Sequence, residues 1–358
     1  MNVNNNIPFN TLNEKYIPAF IQSDIVNRQT NMMLLDTLMP FVSSSSEVIK
    51  QMQIYNDYPV RAILENHRGP GNMIHQRDHK IVEFSPFDLR QSYKISWEEK
   101  KLYENQLTTP EMFYNLATRA FDGIRATTEK YIASILQSGT FVLSENGYSV
   151  NLDYKVPSGQ KIDQTGWAAT AKWSDTTNSD PLTNIQTWIR SAQANDNMAT
   201  PLYIITSLKV INEYLLVNSK IKQAIFGTDK KNQPLTLTEL NRFLESKGMP
   251  MIVSYTSYIL DTDETTKLKL WNDQSFVIIG TEQLGNTYNV EPEPVIAARN
   301  PGATVRVTRS QSGIYLLTYD KKRDELYAEI DTYGTAAAKI VPYISESKAK
   351  ELIIVKTA

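Results

Sequence analysis

Three histidines, His67, His75 and His79, fall within thirteen residues, with Asp78 beside the last. Imidazoles with a carboxylate are the ligand set of many zinc and iron sites, where the metal activates water. A metal site needs ligands held in place, and these four lie around Gly69-Pro70-Gly71, a charged tip with no periodic pattern of its own. They read as a solvated loop, and no metal, cofactor or catalytic residue is expected. A metal-dependent hydrolase using these four residues is the competing enzyme reading, and metal analysis would decide it.

The other chemical motifs are absent or broken. Gly69-Pro70-Gly71 is the only Gly-x-Gly, and Ile74 stands where a dinucleotide fingerprint needs its third glycine. No Gly-Lys pair, no Gly-x-Ser-x-Gly and no His-Glu-x-x-His occurs. Asp261-Thr262-Asp263-Glu264 begins like a calcium loop, but Thr265 and Thr266 follow where a ligand and a glycine should stand, which predicts a polar turn. There are no cysteines, which removes disulfides, thiolate metal sites and cysteine nucleophiles.

Charge gives a different kind of candidate. Arg61, Arg68, Arg77, Lys80, Arg90 and Lys94 are interleaved with Glu65, Asp78, Glu83 and Asp88. Mixed signs suit salt bridges to a neighbouring subunit better than phosphate tracking, with a merely solvated face as the open alternative. Arg61, Arg68, Arg77, Lys80 and Arg90 are therefore the candidate inter-subunit contacts. Over the whole chain 37 basic residues meet 39 acidic ones, a balance that argues against a dedicated reader of nucleic acid. Trp167, Trp173, Trp188 and Trp271 are not interleaved with basic residues and are expected in cores rather than under bases.

The elements that must position these residues are spread over 358 residues, too many for one hydrophobic core, so at least two domains are expected. No apolar run exceeds four residues, which excludes a membrane-spanning helix, and the start MNVNNNIPFN lacks the pattern of a signal peptide. Residues 1–47 read as an arm with apolar teeth and one short helix around Asp24–Leu38. Val48–Tyr58 and Ile81–Ile95 are expected as strands of one long hairpin.

Residues 109–138 carry a continuous apolar stripe at helical spacing, started by Thr108-Thr109-Pro110-Glu111 and stopped by Gly139. A hairpin follows around Asn146-Gly147. From Asp180 the chain alternates helix and strand: a helix capped by Asp180, a strand at 202–206, a helix from Ser207, a capping box at Thr236/Glu239, and strands at 251–255 and 275–279. The tail is expected as strands at 304–309, 314–319, 326–332, 339–344 and 352–356.

This order of arm, loop, rod helix, α/β domain and returning β segment resembles the major capsid proteins of tailed bacteriophages, with the α+β Hong Kong 97-type fold. More narrowly it is similar to the capsid-E family of lambda-like phages. The resemblance is carried by the helix Thr109–Ser138 with its hairpin and by GWAATAKWSDTTNSDPLTNI at 166–185. PLYIITS at 201–207, MPMIVSYTSYI at 249–259, FVIIG at 276–280 and LIIVKTA at 352–358 complete it.

It implies an N-terminal arm (1–47), an extended loop (48–101), a peripheral domain with a spine helix (102–179), an axial domain (180–295), peripheral return strands (296–334) and a return to the axial domain (335–358). It also implies a non-enzymatic shell protein forming hexamers and pentamers, located in the virion after assembly in the bacterial cytoplasm. The implied partners are a separate scaffolding protein, a portal protein and double-stranded DNA held without sequence specificity. An encapsulin-like cellular shell shares the expected fold and is the alternative.

Overall fold

The computed structural model describes residues 32, 34–45, 49–54, 79–104, 109–145, 148–228, 233–293, 305–310, 313–322 and 330–358. A π-helical turn, Leu34–Leu38, precedes strands β1 (Phe41–Ser43), β2 (Ile49–Ile54), β3 (His79–Phe84) and β4 (Phe87–Ile95). Helices α1 (Trp97–Glu104) and α2 (Thr109–Ser138) lead to β5 (Thr140–Glu145), β6 (Tyr148–Asp153) and β7 (Lys161–Asp163). Next come α3 (Pro181–Asp196), β8 (Tyr203–Thr206), a π-helical turn Val210–Leu215, α4 (Ser219–Phe226) and α5 (Leu237–Ser246). Strands β9 (Met251–Ser254), β10 (Tyr258–Leu260), β11 (Lys267–Lys269), β12 (Ser275–Ile279) and β13 (Asn286–Val290) follow. The chain continues through β14 (Arg306–Arg309), β15 (Tyr315–Lys322), β16 (Ile330–Tyr343), α6 (Glu346–Ala349) and β17 (Leu352–Lys356).

Two compact units share the chain. One comprises Met1–Ile49, Phe84–Lys130 and Asn286–Tyr343; the other comprises Lys50–Glu83, Tyr131–Gly285 and Ile344–Ala358. Residues 139–179 group with 180–285 in the second of these units.

The first unit is built on β16. It pairs antiparallel with β4 along one edge, and with β15 and then β13 in succession along the other. β14 extends the sheet beyond β15, and β1 lies parallel to β13. Two sequence expectations change here. Ile81–Ile95 is not one strand: Pro86 has no N–H to give a ladder, and the chain leaves the β2–β3 pair at Ser85-Pro86 to join the larger sheet as β4. Conversely, 326–332 and 339–344 are not separate strands. β16 runs unbroken through Gly334, whose missing side chain admits the Tyr93 ring: a Cβ there would lie 2.1 Å from Tyr93 Cζ. Phe87, Ile95, Leu316, Ala336, Ala338 and Ile340 are buried on the Tyr93 side of this sheet. α2 lies against that side, since a Cβ on Gly123 would stand 3.3 Å from the Gln91 side chain.

The second unit is built on a five-stranded mixed sheet, ordered β7-β17-β12-β8-β9. β12 is buried at every residue, and β17 at all but Lys356, because apolar residues occupy both faces. One face packs Phe276, Ile278, Ile353, Val355 and Ile204 against α3, α4, α5 and the Val210–Leu215 turn. Trp173 stacks on Trp188 at 5.6 Å and meets Phe276 edge-on at 5.0 Å, so these tryptophans are core residues as expected.

Local signals act as read. Asp180 accepts a hydrogen bond from Thr183 N (3.1 Å), Ser207 Oγ accepts from Val210 N (3.1 Å), and the Thr236/Glu239 capping box closes. Gly139 ends α2 at φ +70°, with no room for a Cβ beside Val156 (2.9 Å). β5 and β6 pair as the expected hairpin, while Asn146 and Gly147 lie outside the described residues.

Candidate assembly surface

Of the five residues singled out for inter-subunit contact, Arg61, Arg68 and Arg77 lie outside the described residues, as do His67, His75 and Asp78. Lys80 and His79 are backbone positions on β3. Arg90 is placed fully, and not on a protruding loop: it sits on β4, paired with Ala337 of β16. Its guanidinium is 3.4 Å from Asp88, two residues away on the same face. Among the described residues no group of three or more His, Asp or Glu side chains could hold a metal.

The strand registers reveal Arg90's neighbours. Residues opposite one another across a sheet point to the same side. Arg90, Ala337, Tyr315 and Arg309 therefore form one row across β4, β16, β15 and β14. Ser92, Thr335, Leu317 and Val307 form the next, and Lys94, Tyr333 and Tyr319 a third. This is the face opposite to Tyr93. Arg309 lies over the Tyr315 ring at 5.6 Å, and Ser92 and Thr335 share a 2.9 Å hydrogen bond. In the third row Tyr319 and Tyr333 are stacked, 5.2 Å apart and 8° from parallel, with Lys94 Nζ 5.6 Å from the Tyr333 centroid. Tyr315, Leu317 and Ala337 form a small buried cluster within the face, whereas Arg90, Lys94, Arg309, Lys321 and Tyr319 are exposed.

A buried carboxylate organises the end of this face. Asp331 accepts from Lys94 Nζ (2.8 Å) and from Trp97 N (2.9 Å), one of the free donors at the start of α1. The hydrogen bond to Asp331 raises the Lys94 pKa above its ordinary value. Ser96 and Glu99 close a capping box on the same helix, with Ser96 N donating to Glu99 Oε2 (2.8 Å). Lys100 is buried and donates to Ile330 O and Thr332 Oγ1, both at 2.6 Å. Thus β4, α1 and the start of β16 are tied by charge-assisted bonds.

A second anchor holds the segment that follows the arm. Leu34, Leu35, Leu38 and Met39 are completely buried. Glu129 of α2, itself 1% exposed, accepts from Leu34 N (3.1 Å) and Leu35 N (2.6 Å). Arg125, one turn earlier, takes both oxygens of Asp36 (2.7 and 2.9 Å). The chain entering β1 is thereby fixed to the helix.

Sequence reasoning found Arg90 and Lys94 through local charge but missed Asp331, Tyr333, Tyr319 and Glu129. Ser96-Trp97-Glu98-Glu99 was a legible capping box. The aromatic row was not legible, because it exists only through a pairing of residues 94, 319 and 333.

No family model matches the chain, and no curated protein does. Solved structures do. A protein described as a prophage capsid protein of Escherichia coli CFT073 superposes with a TM-score of 0.54, at 14% identity over 100% of both chains. A phage-related protein of Bordetella bronchiseptica RB50 gives 0.54 at 12% identity over 95% of both. The correspondence covers both sheet units, and the chain accordingly has the α+β phage capsid fold that the sequence resembles.

Proposed function

We propose that this chain is the major capsid protein of a tailed phage: a structural subunit, not an enzyme, that assembles with its own copies into the icosahedral shell around double-stranded DNA. The observation that supports it is the full-length correspondence in fold with the prophage capsid protein. The anchored segment at 34–39 adds to it, because Glu129 holds the backbone at Leu34 and Leu35 where an arm would need a fixed root.

In this reading residues 1–47 are an arm over an adjacent subunit. The extended loop narrows from 48–101 to the stretch carried on β2 and β3, since β4 and α1 belong to the sheet unit. The unit built on β16 is peripheral and the unit built on β12 is axial. Arg90, Lys94 and Tyr319 present a charged and aromatic face to a neighbouring copy, where long side chains over rings suit a wet, polar interface. A scaffolding protein and a portal protein complete assembly, and the near-neutral chain holds DNA without reading it.

Electron microscopy of the expressed protein, alone and with a co-expressed scaffold candidate, tests the reading. Closed shells or capsomer rings are expected. A strictly monomeric or dimeric particle under every condition contradicts it.

A further inference from the structure

In the second unit, residues 165–172 form a loop between two well-held segments. Before it, β7 pairs with β17, and Gln160 Nε2 donates to Lys350 O (3.1 Å). After it, Trp173 is part of the core and Ser174 N donates to Ala358 O (3.1 Å). Within the loop the hydrogen bonds are local. Thr165 N donates to Asp163 Oδ1 (2.8 Å), Trp167 N to Gln164 O (3.0 Å), and Ala171 N and Lys172 N to Ala168 O (2.9 and 3.3 Å). From Thr165 to Ala171 every residue is exposed except Trp167, whose half-buried ring meets Trp188 of α3 at 6.2 Å. One ring therefore holds the loop down.

The two ends of the loop meet. Gln164 Oε1 accepts from Trp173 N at 3.5 Å, a long bond, so the chain leaves and re-enters the core through one neck, as an Ω-loop does. The neck is poorly satisfied. Gln164 and Trp173 are completely buried, yet Gln164 Nε2 and Trp173 Nε1 reach no acceptor among the described residues. A buried donor without an acceptor costs free energy, which it recovers on meeting water. The closed loop carries that cost at its neck, and the Trp167–Trp188 contact offsets it.

We propose that residues 165–172 are a strap, latched by Trp167 on Trp188, that opens as one piece while β7 and α3 stay folded. Segments with few buried side chains and only local hydrogen bonds open at the least cost, and this loop has both properties. Opening frees the outer face of Trp188, which stays stacked on Trp173 at 5.6 Å, and brings the two neck donors toward water. The strap lies within one unit of one chain, so its opening does not depend on the shell reading.

Native-state proteolysis of the full chain tests this. Elastase cuts after small residues, and the strap offers Ala168, Ala169 and Ala171. Cut sites are mapped by mass spectrometry, with the thermal melt as the folding control. Strap cleavage should proceed at a rate nearly independent of urea below the unfolding midpoint, the mark of a local opening. Trp167→Ala should raise that rate about tenfold with melting unchanged, while Trp167→Phe, which keeps a ring, stays near the wild type. Gln164→Met keeps the side-chain length and removes one unsatisfied donor; it should slow cleavage about fivefold. Cleavage that rises with urea as steeply as global unfolding overturns the strap. A rate unmoved by Trp167→Ala, or a melt lowered by it, overturns the latch. Faster cleavage in Gln164→Met overturns the neck as the source of the cost.

Discussion

The two sheets solve burial in opposite ways. β12 and β17 in the second unit are hidden on both faces, so side chains there answer only to packing. The sheet around β16 hides one face under α2 and carries rows of arginine, lysine and tyrosine on the other. A sheet buried on both sides is a foundation. A sheet with one apolar side and one cation-and-ring side is a foundation with a surface to offer. Substitutions in the first should therefore unfold the protein, whereas those at exposed positions on the outward rows of the second, such as Arg90 and Tyr319, should leave it folded and change what it joins.

The largest effect is expected at Phe276, which is completely buried between strands and against Trp173. Phe276→Ala should cost about 3–5 kcal/mol by cavity formation, seen as a shifted denaturant midpoint with unchanged slope. Glu129→Ala comes next: two buried backbone donors lose a charged acceptor, at about 2–4 kcal/mol. Limited proteolysis should then cut near residue 34 faster than in Glu129→Gln, which keeps one acceptor oxygen. Asp331→Ala should cost about 1–2 kcal/mol, because Trp97 N remains near solvent and Lys94 can turn to water. Tyr319→Ala should move the melting temperature by no more than about 3 °C.

The comparison also extends to pH. Hydrogen bonds from the Thr236 backbone hold Glu239, from the Asn178 side chain hold Asp175, and from the Thr266 side chain hold Asp263 below the ordinary carboxylate range. All three lie in the second unit. Their folded pKa values are depressed, so their stabilisation is present above about pH 4 and is lost as pH falls through the folded values. Thermal melts should be flat from about pH 5 to 8 and decline below about pH 4. Lys94 has the opposite sign. Its raised pKa gives a contribution that is present below about pH 10 and is lost at higher pH.

What the sequence revealed follows the range of each interaction. α2, the caps at Asp180 and Thr236, and the stop at Gly139 rest on neighbours within one turn, so they were readable to the residue. Met251 to Ser254 and Ser275 to Ile279 were readable as continuous apolar runs. The change of sheet at Pro86 and the passage of β16 through Gly334 were not, because both depend on partners more than two hundred residues away. The candidate surface shows the same limit. Arg90 was visible as a charge, but its row-mates Tyr315 and Arg309 come from the far end of the chain, and only the register unites them.

The most direct test of the contrast between the sheets pairs two readouts on one variant. Arg90→Ala combined with Tyr319→Ala changes exposed positions of the outward rows and leaves the Lys94–Asp331 pair in place. Its melting curve should overlay that of the wild type within about 3 °C, while closed particles counted by electron microscopy fall sharply. Wild-type particle counts with this variant, or unfolding of its subunit, would contradict the assignment of that face to assembly.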